Sequence, residues 1–205
     1  GERTMNTCLG ASSYIEACMI PYEEIKKSKI LHISGYQWCT PHQKEAAQMA
    51  IKQVKSFDTK ISFDIADPTV VIKHREDFLN IIRDYADILY ANEKEIKILY
   101  NKHSLDECLK ECQKYNKLFI IKLGSKGAII QNKNQNIYIN SYAVKVVDTT
   151  AAGDSFAAGF LYGFIKNLPL EECGKIAAEI AADVVSRVGA KVSDNLIKEI
   201  KARYN

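Results

Sequence analysis

The sequence predicts an α/β fold in which a mainly parallel β-sheet carries helices on both faces. Short β-branched or apolar runs alternate with longer segments of helical periodicity between Ile30 and Ile165. This alternation is typical of parallel sheets, because the crossover between two parallel strands is usually a helix. The chain shows no internal repeat and no change of composition that would mark a linker, so we expect one domain over residues 1–205.

Each predicted element follows from its periodicity and from the turn residues that flank it. Strands are predicted, in chain order, at 3–9, 30–34, 60–65, 87–91, 118–123, 128–131, 136–139 and 144–147. Helices are predicted at 22–27, 42–56, 77–86, 104–115, 156–165, 170–188 and 194–203. Gly159 and Gly163 lie one turn apart in an apolar helix, which favours close packing of that helix on a sheet.

The stretch that carries the most chemical information is VDTTAAGDSF, residues 147–156. It lies between the strand predicted at 144–147 and the apolar helix at 156–165. A strand, a turn of small residues and a helix direct several backbone N–H groups at one point, and the helix dipole adds partial positive charge there. Asp154 falls in the first helical turn, where its carboxylate can accept a proton from an attacking hydroxyl, as phosphoryl transfer requires.

Asp154 also has a simpler interpretation, since capping and the dipole favour acidic residues at helix N-termini. Ala151, Ala152 and Gly153 favour the functional interpretation, because small side chains let a ligand approach the backbone closely. We therefore predict an anion-binding turn here, with Asp154 beside it.

The seven residues from Asp148 to Asp154, DTTAAGD, resemble the C-terminal signature of the ribokinase-like (PfkB) family of carbohydrate and nucleoside kinases. The family pattern usually carries Gly at the position of Ala151, although Ala occurs there in some sugar kinases. The resemblance implies a ribokinase-like fold. It also implies that Asp154 is the catalytic base and that the backbone of Ala151, Ala152 and Gly153 forms an anion hole.

Asn92 and Glu95 follow the strand predicted at 87–91. Their spacing predicts a capping box, in which each side chain bonds to the backbone N–H of the other residue. The pair is also similar to the NxxE motif of the same family. That resemblance implies that Asn92 and Glu95 help to hold phosphate and Mg²⁺, the ion being bound by Glu95 through water. One carboxylate acting through water suits Mg²⁺, which keeps several waters when bound.

A glycine-containing turn, GSKG at 124–127, follows another predicted strand. The chain has no Walker A motif, so this turn is not a P-loop. Together with Lys122 it resembles the KxGxxG segment of the family, whose backbone lies along the phosphates of ATP. The resemblance implies that Lys122, Gly124, Ser125 and Gly127 contact the nucleotide. A plain glycine hairpin is the alternative.

The family resemblance implies ATP and Mg²⁺ as cofactors. It further implies that a monovalent cation such as K⁺ is held by Asp148 and Thr150 with the loop at 187–193.

Composition argues against several classes of function. The net charge of +3 is small and evenly spread, so we expect no nucleic-acid partner. The 205 residues contain no apolar stretch of membrane-spanning length, so we expect no membrane partner. The six cysteines are scattered without a CxxC spacing, which argues against zinc and fits a reducing cytoplasm.

The resemblance extends over nearly all of the chain but corresponds to only about the C-terminal two-thirds of a family member. Residues 1–20 are similar to the segment that leads from the family's lid into the main sheet, so we expect most of the lid sheet to be missing. Because the lid helps to grip the acceptor, we expect little or no turnover from these 205 residues alone. Family members often dimerise through the lid, which implies a homodimer for the full-length protein.

The resemblance implies an ATP-dependent kinase that phosphorylates a primary hydroxyl of a small molecule. The stretches 1–12, 62–68 and 88–95 most resemble bacterial adenosine-kinase-like members, which favours a nucleoside such as adenosine. A sugar kinase of the ribose, fructose or ketodeoxygluconate type is the alternative, because the Ala151 variant also occurs among such enzymes. A third hypothesis is a non-catalytic protein that binds a nucleotide or a sugar.

Overall fold

The computed structural model describes residues 8–133 and 135–204. These residues fall into two compact units. The N-terminal unit comprises 8–121 with 131–133 and 135, and the C-terminal unit comprises 122–130 and 136–204. The single domain expected from the sequence stays a prediction. The strand predicted at 3–9 lies outside the described residues except for its last two positions, which are not in a strand.

Six strands form a mainly parallel sheet and are hydrogen-bonded in the order in which they occur in the chain, so the predicted fold class is confirmed. They are β1 (Ile30–Ser34), β2 (Lys60–Asp64), β3 (Ile88–Asn92), β4 (Leu118–Lys122), β5 (Ala128–Gln131) and β6 (Asn136–Ile139). Strand β2 pairs in parallel with β1, with Lys60 opposite Ile30, and also with β3, with Ser62 opposite Ile88.

The described residues contain eight α-helices. They are α1 (Tyr22–Lys27), α2 (Pro41–Val54), α3 (Pro68–Asp84), α4 (Glu93–Tyr100), α5 (Leu105–Cys112), α6 (Ala152–Ile165), α7 (Leu170–Val185) and α8 (Asp194–Tyr204). Among these helices we find none whose length and apolar character would allow it to cross a membrane.

Four consecutive helices begin where the sequence supplies a capping side chain. The caps are Thr40 for α2, Asp67 for α3, Asn92 for α4 and Ser104 for α5. Each cap accepts a hydrogen bond from a backbone N–H group that has no partner within its own helix. These local bonds fix the points at which the chain turns from loop into helix.

Helix α3 begins at Pro68, well before the predicted start at 77. The Asp67 carboxylate accepts a hydrogen bond from the Thr69 N–H at 2.7 Å, and Pro68 occupies the first helical position, where an N–H is not needed. His74 has non-helical dihedral angles (φ −122°, ψ 24°), so the helix is kinked there. The amphipathic pattern identified only the part of the helix that follows the kink.

The core of the N-terminal unit contains three buried aromatic rings that pack edge to face. The ring centroids lie 5.7 Å apart for Trp38 and Phe63, 5.4 Å for Trp38 and Phe78, and 5.0 Å for Phe63 and Phe78. Such pairs contribute about 0.5–1.5 kcal/mol each beyond the burial of their area. They hold the turn after β1 and helix α3 against β2.

Helices α6 and α7 pack closely in the C-terminal unit because glycines lie where their backbones meet. A Cβ atom on Gly159 would lie 2.8 Å from Cα of Ala177, and one on Gly163 would lie 3.0 Å from Cα of Cys173. The close packing predicted for these two glycines is therefore confirmed. Its partner is helix α7, not the sheet as expected, because a stripe of small residues suits either kind of neighbour.

We expect Gly159→Ala to lower the free energy of unfolding by about 1–2 kcal/mol. The added methyl group forces the two helix backbones apart, which outweighs the better helix propensity of alanine. Urea denaturation measures the change. Ala158→Ser, on the exposed side of the same helix, is the control and should change stability by less than about 0.5 kcal/mol. Equal stability of Gly159→Ala and the parent protein would contradict the packing argument.

Candidate active site

The chain reaches α6 through a loop instead of the predicted strand. Residues 144–147 are not in a strand, and Val144 and Val146 are exposed by 40% and 49%. The prediction was wrong because β-branched residues favour an extended backbone, whereas a strand also needs a hydrogen-bonded neighbour. The backbone N–H of Val147 donates instead to the carbonyl of Val185, at the end of α7, over 2.8 Å.

The N-terminus of α6 has no side-chain cap, in contrast to α2–α5. Ala151 occupies the capping position in the left-handed conformation (φ +58°, ψ 16°), and its methyl group cannot accept a hydrogen bond. The Ser155 N–H donates to the Ala151 carbonyl at 2.9 Å. The N–H groups of Gly153 and Asp154 come before this bond, in the first turn. Such groups point out of a helix N-terminus, where they favour an anion.

The ammonium group of Lys122 lies beside this N-terminus. A Cβ atom on Gly153 would lie 3.2 Å from Nζ of Lys122. The positive end of a helix dipole and a cation repel each other. An anion bound between them is attracted by both and removes this repulsion. Asp154 is exposed in the same first turn. The structure therefore brings Lys122, Gly153 and Asp154, three of the predicted site residues, to one helix end.

The turn after β4 owes its shape to two glycines. Gly124 has φ +62° and Gly127 has φ +90°, and a Cβ atom on Gly127 would lie only 1.9 Å from the carbonyl oxygen of Ile139. The Gly127 N–H donates to the Gly124 carbonyl at 3.0 Å. Gly124 and Ser125 are exposed at the tip of the turn. The nucleotide contacts expected of Lys122 and of this turn stay predictions.

Asp148 joins the turn before α6 to the loop after α7. Its Oδ1 accepts hydrogen bonds from the backbone N–H of Thr150 at 2.9 Å and from the Thr150 hydroxyl at 2.6 Å. Its Oδ2 accepts the N–H of Gly189 at 3.2 Å. Asp148, Thr150 and the loop at 187–193 thus lie together, as expected, while their binding of a monovalent cation stays a prediction.

Asn92 and Glu95 form the predicted capping box in the N-terminal unit. The Asn92 side chain accepts the Glu95 N–H at 2.9 Å, and Glu95 Oε2 accepts the Asn92 N–H at 2.7 Å. The Asn92 amide also donates to Glu95 Oε1 at 2.5 Å. Glu95 is buried, with 3% of its surface exposed. The structural interpretation of the pair is confirmed, and its role toward Mg²⁺ stays a prediction.

Sequence reasoning missed two residues that shape this region, Gly189 and Asp183. Gly189 was expected only as one residue of the loop at 187–193, and the hydrogen bond from its N–H to Asp148 was not predicted. Asp183 resembles an ordinary helix carboxylate with Arg187 one turn later, and its bonds to Ser193 depend on how the loop folds back. The sequence feature that could have indicated Gly189 is a glycine just after a helix, because glycine readily adopts the positive φ found at helix ends.

We expect Ala151→Gly to raise the free energy of unfolding by about 0.5 kcal/mol. Glycine removes the strain of a left-handed alanine, and this gain exceeds the cost of a more flexible unfolded chain. Ala152→Gly, one residue later and inside the helix, should lower stability by about 0.5–1 kcal/mol. Urea denaturation of both variants measures the two changes in the free energy of unfolding, which should have opposite signs. A loss of stability in both would contradict the left-handed conformation of Ala151.

Comparison with known proteins identifies relatives along most of the chain. The sequence matches the pfkB family of carbohydrate kinases over residues 1–196. It is 28% identical over 191 residues to an uncharacterized sugar kinase of Archaeoglobus fulgidus, covering 93% of this chain and 74% of that protein. It is 29% identical over 185 residues to an ATP-dependent 6-phosphofructokinase of Thermoanaerobacterium thermosaccharolyticum, covering 88% and 58% respectively.

The fold has relatives among solved structures. The crystal structure of adenosine kinase from Sinorhizobium meliloti matches with a TM-score of 0.89 and 26% identity, over 93% of this chain and 59% of that one. The chain thus spans less than two thirds of the length of this adenosine kinase and of the phosphofructokinase. The match over residues 1–196 includes the α6 turn, the glycine turn and the Asn92–Glu95 pair, and it shows that the chain belongs to the pfkB family of carbohydrate kinases.

Proposed function

We propose that the protein is an ATP-dependent kinase that phosphorylates a primary hydroxyl of a nucleoside such as adenosine. The observation that carries the proposal is the N-terminus of α6, where an uncapped helix end, the Lys122 ammonium and the Asp154 carboxylate occur together. The positive groups suit a transferring phosphoryl, and the carboxylate suits the proton of an acceptor hydroxyl. Binding of a phosphate alone would not call for a carboxylate at this helix end.

In the proposed reaction, Asp154 accepts the proton of the acceptor hydroxyl while the oxygen of that hydroxyl attacks the γ-phosphorus of ATP. The bond between the γ-phosphorus and the bridging oxygen breaks, and ADP leaves with the electron pair. The backbone at Ala151, Ala152 and Gly153 stabilises the charge on the transferring phosphoryl, chiefly through the Gly153 N–H, since the Ala152 N–H donates to the Thr149 carbonyl at 3.3 Å. Lys122 and the turn at 124–127 hold the phosphates of the nucleotide.

Mg²⁺ is the ion that this reaction requires, and Glu95 suits its binding through water. Its carboxylate is held in one orientation by the bonds that it accepts from the Asn92 N–H and side-chain amide, and carboxylate oxygen is a ligand that Mg²⁺ prefers. When bound, Mg²⁺ neutralises charge on the phosphates. We further propose that Asp148 and Thr150, with the loop at 187–193, hold K⁺.

Two observations support a nucleoside as the acceptor. The stretches 1–12, 62–68 and 88–95 resemble bacterial adenosine-kinase-like members, and the fold matches an adenosine kinase structure. A sugar is the alternative acceptor, because the relatives include proteins named as a sugar kinase and a phosphofructokinase. A non-catalytic binding protein is the alternative from another class. Retention of Asp154, Gly153, Asn92 and Glu95 argues against it.

Release of ADP from Mg·ATP by the purified natural polypeptide tests the proposal, with adenosine in one reaction and ribose in another. ADP that depends on adenosine would support both the kinase and its substrate class. Release with ribose alone would keep the mechanism and move the acceptor to a sugar. Nucleotide binding without ADP release in either reaction would favour the binding protein.

We expect Asp154→Asn to lower kcat at least about 100-fold, because the amide cannot accept the hydroxyl proton. The Kd for ATP, measured by calorimetry, should change less than about twofold, since the asparagine lies in the same place with the same size. Asp106→Asn is the control, because Asp106 is also an exposed acid in the first turn of a helix, α5. Near-normal turnover of Asp154→Asn would rule out its role as the base.

We expect Glu95→Gln to lower turnover at least about tenfold and to raise the Mg²⁺ concentration needed for half-maximal rate. Its stability should fall by no more than about 1 kcal/mol, because glutamine can still accept the Asn92 N–H. Glu107→Gln is the matched control, since Glu107 forms the corresponding capping box with Ser104 in α5. If both variants kept full turnover, Glu95 would serve only as a capping residue.

A further inference from the structure

Asp183, near the C-terminal end of α7, accepts hydrogen bonds from the loop that follows this helix. Its Oδ2 accepts the backbone N–H of Ser193 at 2.7 Å, and its Oδ1 accepts the Ser193 hydroxyl at 2.9 Å. Arg187 donates a further hydrogen bond to Oδ1. Only 15% of the Asp183 side chain is exposed. The carboxylate therefore ties the end of α7 to the residue that immediately precedes α8.

The loop that Asp183 holds carries a partner of Asp148. Gly189 lies in this loop with φ +94°, and its N–H donates to Oδ2 of Asp148 at 3.2 Å. The other carboxylate oxygen of Asp148 accepts the N–H and hydroxyl of Thr150, directly before Ala151. Two sets of hydrogen bonds, joined by the loop backbone from Gly189 to Ser193, thus connect Asp183 with Asp148 and with the turn that opens α6.

The position of Asp183 is unfavourable for α7 itself. A carboxylate in the last turn of a helix interacts poorly with the negative end of the helix dipole, where a basic residue is preferred. Arg187 offsets part of this cost through its ion pair. The two bonds to Ser193 also favour a carboxylate at this position, and they act on the loop and not on the helix.

We infer that Asp183 is a positioning residue for phosphoryl transfer. By fixing the loop at 187–193 it keeps Gly189 against Asp148, and through Asp148 it keeps the N–H groups at the start of α6 in the geometry that receives the phosphoryl group. The inference rests on the proposed function. Because those N–H groups act most strongly as charge develops, loosening them lowers kcat more than it weakens ATP binding.

The test compares Asp183→Asn with Glu179→Gln in the natural polypeptide. Glu179 also ties α7 to α8, through bonds of 2.8 Å and 3.2 Å to Arg203, and 19% of its side chain is exposed. It lies one turn before Asp183 and does not bond to the loop. We expect both variants to lose similar thermal stability. Only Asp183→Asn should lower kcat about tenfold, with the KM for ATP changed less than about twofold.

A second variant and a second readout keep the test independent of folding and of turnover. Ser193→Ala removes the hydroxyl bond to Asp183 and the bond that the hydroxyl accepts from the Leu196 N–H; it should lower kcat in the same way, and Ser193→Thr, which keeps both bonds, should restore it. Amide hydrogen exchange should show faster exchange at Gly189 and Thr150 in Asp183→Asn but not in Glu179→Gln.

Equal kinetic losses in Asp183→Asn and Glu179→Gln, or unchanged exchange at Gly189 and Thr150, would overturn the positioning role. Absence of ADP release by the parent protein would overturn the proposed function. Hydrogen exchange alone would then decide whether Asp183 fixes the turn that contains Asp148 and Thr150.

Discussion

The candidate site depends on the hydrogen bonds that the carboxylate of Asp148 accepts. It accepts two hydrogen bonds from Thr150, before α6, and one from Gly189, after α7. The residue that follows Thr150 is Ala151, whose left-handed conformation lets α6 begin without a side-chain cap. The Asp148 carboxylate, three residues before Ala151, thus fixes the turn without capping α6, and the helix N-terminus stays open to an anion.

Close packing of α6 on α7 complements this arrangement. The backbones approach each other at Gly159 and Gly163, so α6 cannot shift along or away from α7 without losing contact with Ala177 and Cys173. The loop after α7 holds Asp148, so the same helix positions both the body of α6 and the turn before it. Any group that fixes this loop, as Asp183 does, therefore acts on the geometry of the helix N-terminus.

The sequence predicted the parts of the molecule whose determinants are local. The capping box of Asn92 and Glu95 needs only two side chains three residues apart, and the strands at 128–131 and 136–139 have the predicted bounds. The prediction of a strand at 144–147 was wrong, because a strand needs a hydrogen-bonded neighbour as well as β-branched residues.

The individual hydrogen bonds from Asp183 to Ser193 and from Gly189 to Asp148 were not predicted, for a related reason. The bond from Asp183 to Ser193 spans 10 residues, and the bond from Gly189 to Asp148 spans 41. No periodicity within a helix or a strand encodes such pairings, because they form only when a loop folds back onto a distant part of the chain. By contrast, the helix start with Asp154 could be predicted because its small residues and its acid are contiguous in the chain.

The central claim is that the N-terminus of α6 receives the phosphoryl group. A crystal structure of the natural polypeptide with Mg²⁺ and a non-hydrolysable ATP analogue tests it most directly. We expect an oxygen of the terminal phosphate about 2.7–3.2 Å from backbone nitrogens at the start of α6, with Lys122 on the phosphates and the Asp154 carboxylate facing the acceptor position. A nucleotide whose terminal phosphate lies away from α6 would contradict it.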